Sequence, residues 1–191
     1  MNTLYKLNII PRTTWTARIP TEKMNYLSNI NYLVIHHTTF DGDYKIGEDA
    51  KEVVRDIQKY HMSKKYDKEG NLIKDKWADI GYHYLISKDG QIFEGRSKKF
   101  KGSHAYGLNN ESLGIALLGD FSHKEIYPTQ LKSLVQLLAW LSQIYSINTS
   151  KIIGHKDVLS ISLKGTITEC PGSALHSQLP FIREKVEAIL V

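Results

Sequence analysis

The chain has 191 residues, 41% of them hydrophobic and 24% charged, enough for one domain with a sizeable core and ordinary for a folded soluble protein. This composition excludes wholesale disorder, and no internal period points to collagen, coiled coil or solenoid. Lysine plus arginine number 25 against 20 aspartate plus glutamate, a formal net charge of +5. The excess favours anionic surfaces, but the basic residues are scattered and build no arginine-rich helix, so nucleic acid is not an expected partner.

Met1 to Ile10 carry one lysine with no long apolar stretch behind. No signal peptide is expected there, which by default places the chain in the cytoplasm, with action at the cell wall following release or non-Sec export. Residues 1–31 lack clear periodicity and are expected to wrap the surface. Tyr32-Leu33-Val34-Ile35 reads as a buried strand running straight into His36-His37-Thr38-Thr39. Ala50, Val53, Val54, Ile57 and His61 recur at helical spacing, so residues 48–62 are predicted as an amphipathic helix. Residues 63–76 are charged, with Glu69-Gly70-Asn71 as a turn signal, and read as a solvated excursion.

Tyr82 to Ile86, then Lys88-Asp89-Gly90, then Gln91 to Glu94 predict a hairpin, because Asp-Gly suits a turn needing positive φ. Leu113 to Leu118 is nearly all apolar, as a central strand covered on both faces would be. Its run Ile115 to Leu118 is among the longest apolar stretches, far too short to span a bilayer, so no membrane insertion is expected. Pro128 opens a helix, in which Leu131, Leu134, Val135, Leu138, Leu141 and Tyr145 form one apolar stripe. Ile152-Ile153 is a short strand ending at Gly154-His155, and a last helix is predicted over Phe181 to Leu190. Strands alternating with helices indicate an α/β layered domain with a central mixed sheet flanked by helices. With no linker or repeat, 1–191 reads as a single domain, and a monomer is expected.

His36 and His155 each sit at the carboxyl end of a predicted strand, where α/β sheets gather ligand sites. Cys170 is the single cysteine, which rules out an intrachain disulfide and dithiol chemistry. Imidazole and thiolate are good zinc donors, and three protein ligands with an open fourth position make a catalytic site. His36, His155 and Cys170 could supply that set; equally, the histidines could be satisfied core residues and the cysteine a packed one. No His-Glu-x-x-His helix, phosphate loop or Gly-x-Ser-x-Gly appears. In Trp77-Ala78-Asp79-Ile80-Gly81-Tyr82-His83-Tyr84, the Tyr82 hydroxyl could donate toward a polarised oxygen or the ring could simply pack. Gly95-Arg96 and Gly102-Ser103-His104-Ala105-Tyr106-Gly107-Leu108-Asn109 make a polar loop suited to sugars and peptides.

Together these segments resemble the zinc-dependent N-acetylmuramoyl-L-alanine amidases of the phage-lysozyme and peptidoglycan-recognition-protein family. The resemblance rests on Val34-Ile35-His36-His37-Thr38, the Trp77 to Ile86 run, Asp89-Gly90, Glu94-Gly95-Arg96, Gly102-Ser103-His104-Ala105 with Asn109, Leu113-Gly114-Ile115-Ala116, Gly154-His155-Lys156-Asp157 and Cys170-Pro171-Gly172, in family order. Arg12-Thr13-Thr14-Trp15 also resembles the opening of recognition-protein domains. The resemblance implies zinc held by His36, His155 and Cys170, and catalytic assistance from Tyr82. Thr168 falls where the family has a lysine or threonine two residues before the cysteine. The implied reaction is hydrolysis of the amide between N-acetylmuramic acid and L-alanine in peptidoglycan or a muropeptide. Tyr82 would stabilise the oxyanion or orient the attacking water, and Thr168 would add a second hydrogen bond.

His37, His61, Arg96, His104 and Asn109 are expected to line the substrate groove. The stretch from His155 to Cys170 is longer than usual for the family, with Leu159 to Gly165 as the apparent insertion. Residues 63–76 also look inserted, as a rim to the groove. The lack of the disulfide carried by many secreted animal members favours a bacterial or phage setting. Two rival functions remain open at this level. One is a binding module that recognises peptidoglycan without cutting it. The other is a cysteine hydrolase using Cys170, His155 and perhaps Asp157.

Overall fold

Two strands predicted from unbroken apolar runs form the middle of the fold. In the computed structural model, which describes residues 7–39 and 49–191, Tyr32–His37 (β2) pairs in parallel with Ser112–Leu117 (β7) over its whole length. The expectations made for residues 1–6 and for position 48 lie outside the described residues. The sheet is completed by Ile9–Ile10 (β1), Tyr84–Ile86 (β5), Ile92–Glu94 (β6) and Ile152–Gly154 (β8), in the order β1-β6-β5-β7-β2-β8. Among the strand pairs of this sheet in the described residues, only the β5–β6 hairpin is antiparallel; its turn closes with Gly90 at φ +83, so the predicted Asp-Gly signal sits where the backbone needs it. The sheet is therefore mixed, and helices cover both faces.

Strand periodicity divides the core. Leu33, Ile35, Leu113, Ile115 and Leu117 face Pro128–Tyr145 (α2) and Leu179–Leu190 (α5). Leu85, Phe93, Ala116 and Leu118 face the other way, against Val53, Val54 and Ile57 of Ala50–His61 (α1). Asp49 starts α1 by accepting the Lys51 N–H, and Pro128 starts α2, where its missing donor costs nothing. Among the described residues, no helix is long and apolar enough to cross a membrane.

The amino-terminal segment does more than wrap the surface. Ile9 and Ile10 add an edge strand beside β6, and Trp15 is fully buried in the second core, its indole N–H donating to the Glu94 carbonyl at 2.9 Å. Truncating such a ring typically costs about 3–5 kcal/mol. A two-residue strand and one isolated aromatic have no period by which a sequence could announce them. Residues 63–76 hold a small antiparallel pair of their own, Lys65–Tyr66 (β3) with Leu72–Lys74 (β4). Its turn uses Gly70 at φ +86, and its side chains are mostly exposed. The Lys74 ammonium ties this hairpin to the end of α1 by donating to the His61 and Ser63 carbonyls, each at 2.9 Å. The long stretch before Cys170 begins with a short helix, Val158–Ser162 (α3), and Ser173–Ser177 (α4) follows the cysteine.

Candidate metal centre

Period-2 alternation along β2 places His36 on the same side of the sheet as Val34, away from α2 and α5. The facing positions on β7 are Gly114 and Ala116, so this patch is left open for side chains arriving from loops. β8 lies on the other side of β2, with Gly154 opposite Ile35, and His155 follows directly in a 3-10 turn. The rings of His36 and His155 stand 4.6 Å apart. The chain returns after α3 to bring Cys170 Sγ to 3.5 Å from His36 Nδ1 and 3.8 Å from the His37 carbonyl. One donor atom from each of His36, His155 and Cys170 lies within 4.8 Å of the others. His36 is enclosed, whereas His155 and Cys170 are half-buried, so solvent reaches the cluster from one side.

Three local ties hold the outer donors. The Lys156 N–H donates to the Cys170 carbonyl at 2.8 Å, linking the neighbour of one donor to the other. Thr168 Oγ1 accepts the Cys170 N–H at 3.1 Å, so the threonine positions the cysteine backbone. Asp157 accepts the Gly154 N–H at 2.8 Å through one oxygen and meets His176 Nε2 at 2.8 Å through the other, clamping the turn that carries His155. The Asp157–His176 pair has no signal in the sequence, because His176 lies 19 residues away in an otherwise ordinary helix.

Burial decides the charge of each donor. His36 is held well below the usual imidazole range, first by desolvation and then by the charges that His155 and His104 would carry. His155 is pushed down to about 4, again chiefly by burial. The Cys170 thiol is pushed up to about 12 by the same cause. The cluster thus offers two neutral imidazole lone pairs and a thiol whose proton a divalent cation would displace. Two nitrogens and one sulfur, converging with one side reachable by solvent, fit a zinc ion of the catalytic type. A thiol raised in this way is the opposite of an activated nucleophile. Asp157 is also engaged by His176 instead of His155.

Tyr82 packs beside the cluster, its ring 5.1 Å from His36 and 5.4 Å from His61. Burial, and secondarily the negative charge Cys170 would carry, push its phenol up, so it keeps its proton for donation. The residues expected to line a groove are placed differently from one another. His37, at the strand end, accepts the Phe121 N–H at 3.2 Å through Nδ1, and Asp120 stands 3.5 Å away. His61, the last residue of α1, is buried against Trp77 and accepts the Gly81 N–H at 3.1 Å; burial pulls it down to about 3. Arg96 is 4% exposed, and its guanidinium donates to the carbonyls of Ile80 (2.8 Å), Lys101 (2.6 Å) and Asp79 (3.1 Å). Asn109 Oδ1 accepts the N–H groups of His104 and Ala105 at 2.9 and 2.8 Å. His104 itself is enclosed behind His36. Tyr82 and His104 are therefore gathered at the cluster and His37 meets it through its carbonyl, while Arg96 and Asn109 spend their polar groups on backbone.

The chain is similar to known proteins in sequence and in fold. Residues 26–173 match the family model described as N-acetylmuramoyl-L-alanine amidase. Peptidoglycan-recognition protein SC2 of Drosophila simulans is 33% identical over 175 residues, 91% of this chain and 85% of the relative. The solved endolysin N-acetylmuramoyl-L-alanine amidase LysCS from Clostridium intestinale superposes with a TM-score of 0.66 at 29% identity, covering 98% of both chains. The solved peptidoglycan recognition protein LE, in complex with tracheal cytotoxin (monomeric diaminopimelic acid-type peptidoglycan), gives a TM-score of 0.72 at 31% identity, covering 91% of this chain and 92% of the other.

Proposed function

The chain belongs to the N-acetylmuramoyl-L-alanine amidase family, and on that premise we propose that it hydrolyses the amide between N-acetylmuramic acid and L-alanine in peptidoglycan, with a zinc ion held by His36, His155 and Cys170. The convergence of those three donor atoms within 4.8 Å, from two strand ends and a distant loop, carries this reading. Relatives include proteins described by recognition as well as by hydrolysis, so the donor set is what favours cleavage here. A zinc ion so held supplies Lewis acidity toward the scissile carbonyl and makes a nucleophilic water available near neutral pH.

The chain's own residues do the rest. His36, closed off from solvent and neutral, anchors one corner of the site on the sheet. Tyr82, protonated at any working pH, donates from the rim to the carbonyl oxygen as it gains charge, a contribution of about 3 kcal/mol when such donors are removed elsewhere. Thr168 secures Cys170 through the backbone bond already described. Water adds across the amide, leaving the lactyl carboxylate on the sugar and a free amine on L-alanine. Peptidoglycan as substrate is supported by the relative solved with its monomeric diaminopimelic acid-type form, and the net charge of +5 suits an anionic wall polymer.

The test is mass spectrometry of products from defined muropeptides, before chelation, after it and after zinc add-back. Release of a stem peptide beginning at L-alanine, lost on chelation and restored by zinc, is expected. Tight binding of muropeptide without cleavage by zinc-loaded protein would make the chain a recognition module. Cleavage indifferent to chelation would make Cys170 a nucleophile.

A further inference from the structure

His104 comes from the Gly102 to Asn109 loop, yet its ring is pushed inward against the back of the donor cluster. It is 7% exposed, and its Nδ1 lies 3.1 Å from His36 Nε2. That is the ring nitrogen opposite the Nδ1 that faces Cys170. The two rings meet edge to face at 5.0 Å.

The room for this ring is made by two glycines. A Cβ on Gly114, in β7, would fall 2.5 Å from His104 Cγ, and one on Gly102 would fall 2.3 Å from its Cδ2. Both distances are impossible for real atoms, so the slot exists only because neither position bears a side chain. Asn109 Oδ1 then pins the loop by accepting the N–H groups of His104 and Ala105. On the far side His83 has both nitrogens engaged, Nδ1 accepting the Gly114 N–H at 3.0 Å and Nε2 donating to the Phe100 carbonyl at 3.0 Å. His83 therefore competes for neither nitrogen of His104.

We propose that His104 is a positioning residue that fixes the tautomer and ring orientation of His36 by accepting its Nε2–H. This rests on the proposed role of His36 as a metal ligand. A ligating imidazole must present a lone pair, so Nδ1 of His36 has to be bare and its proton must sit on Nε2. His104 Nδ1 receives that proton's hydrogen bond, and His104 in turn carries its own proton on Nε2. This nitrogen is buried with no hydrogen-bond partner among the described residues. The reverse arrangement, with His104 donating from Nδ1, would place the His36 proton on Nδ1 and turn the ring's bare nitrogen away from Cys170. Ligating histidines commonly lean on a carboxylate or a carbonyl. A neutral imidazole in that place orients the ring without adding negative charge to the site.

The zinc-loaded wild-type chain is examined by long-range nitrogen–proton NMR of its histidines, and zinc affinity is measured by competition with a chromophoric chelator for wild type, His104→Asn and His104→Leu. Expected are the Nε2–H tautomer at both His36 and His104, and a 10–100-fold loss of zinc affinity in the leucine variant. The asparagine variant, whose Oδ1 can accept in place of Nδ1, should stay within a few-fold of wild type. A folded leucine variant that holds zinc as tightly as wild type overturns the role of His104. So does a proton on His104 Nδ1, a result that needs no variant to fold. Failure of wild type to take up zinc at all would instead overturn the proposed function.

Discussion

Replacing Arg96 separates a brace from a substrate contact. In Arg96→Met the stem is kept and the guanidinium is lost, leaving the carbonyls of Ile80, Asp79 and Lys101 without their donor. Each buried carbonyl stripped of a partner costs about 1–3 kcal/mol, so the sum lies at roughly 3–9 kcal/mol. Lys101 is only half-buried and water can replace one bond, which brings the expectation to about 4 kcal/mol. Asp79 keeps its ion partner, Arg12, at 3.0 Å, so no buried charge is orphaned there. For a domain of this size about 4 kcal/mol lowers Tm by roughly 8–16 °C. Urea and thermal melts measure that loss, and calorimetric binding of a muramyl tripeptide, run well below the lowered Tm, measures recognition. Binding should change little. A stability loss under about 1 kcal/mol together with a tenfold or greater loss of binding would refute the brace and return Arg96 to the groove.

Cys170→Ser should lose zinc, read by metal analysis after desalting, along with muropeptide cleavage, while its circular dichroism stays that of wild type. Tyr82→Phe should keep its zinc and lose roughly a hundredfold in rate, read as kcat with KM little changed. Gly114→Ala should destabilise by about 1–3 kcal/mol in urea, because its methyl collides with the His104 ring. Acid should loosen the chelator-treated protein. Burial pulls His83 down to about 4 against 6.5 in an unfolded chain, so the unfolded state binds the extra proton. Stability is then complete above about pH 6.5 and falls toward pH 4, by up to about 3 kcal/mol from this group alone. Urea midpoints that stay flat between pH 7 and pH 4.5 would contradict it.

The parts of the fold with a period were legible in the sequence. β2 and β7 announce themselves by unbroken apolar runs, α1 and α2 by helical stripes, and the β5–β6 turn by Asp-Gly. The strand-end positions of His36 and His155 follow from those runs, although nothing local says that β8 lies next to β2. Only sheet order does that, and sheet order is a long-range outcome. Trp15 is visible only as part of the Arg12 to Trp15 resemblance, and its burial and β1 are not expected from the sequence, because isolated apolar residues carry no repeat. The Gly102 to Asn109 loop reads as a groove wall because glycine, serine and histidine interleaved look solvated. Its direction is set by Gly114, 10 residues beyond His104, whose missing side chain shows its purpose only when the strand is packed. Arg96 looks like an anion-binding side chain until the three carbonyls around it are seen.

The donors are unequally tethered. His36 lies in β2, paired on both sides, and His155 directly follows the adjacent parallel strand β8. Cys170 lies outside the sheet, on a loop tied through Thr168, Lys156 and the His37 carbonyl and, just beyond the cysteine, through the Ala174 N–H to the Phe121 carbonyl. Displacement of that loop would withdraw the sulfur while both rings stay in place, so substitutions among the ten residues before the cysteine should shorten retention of the proposed ion more than substitutions in the sheet do.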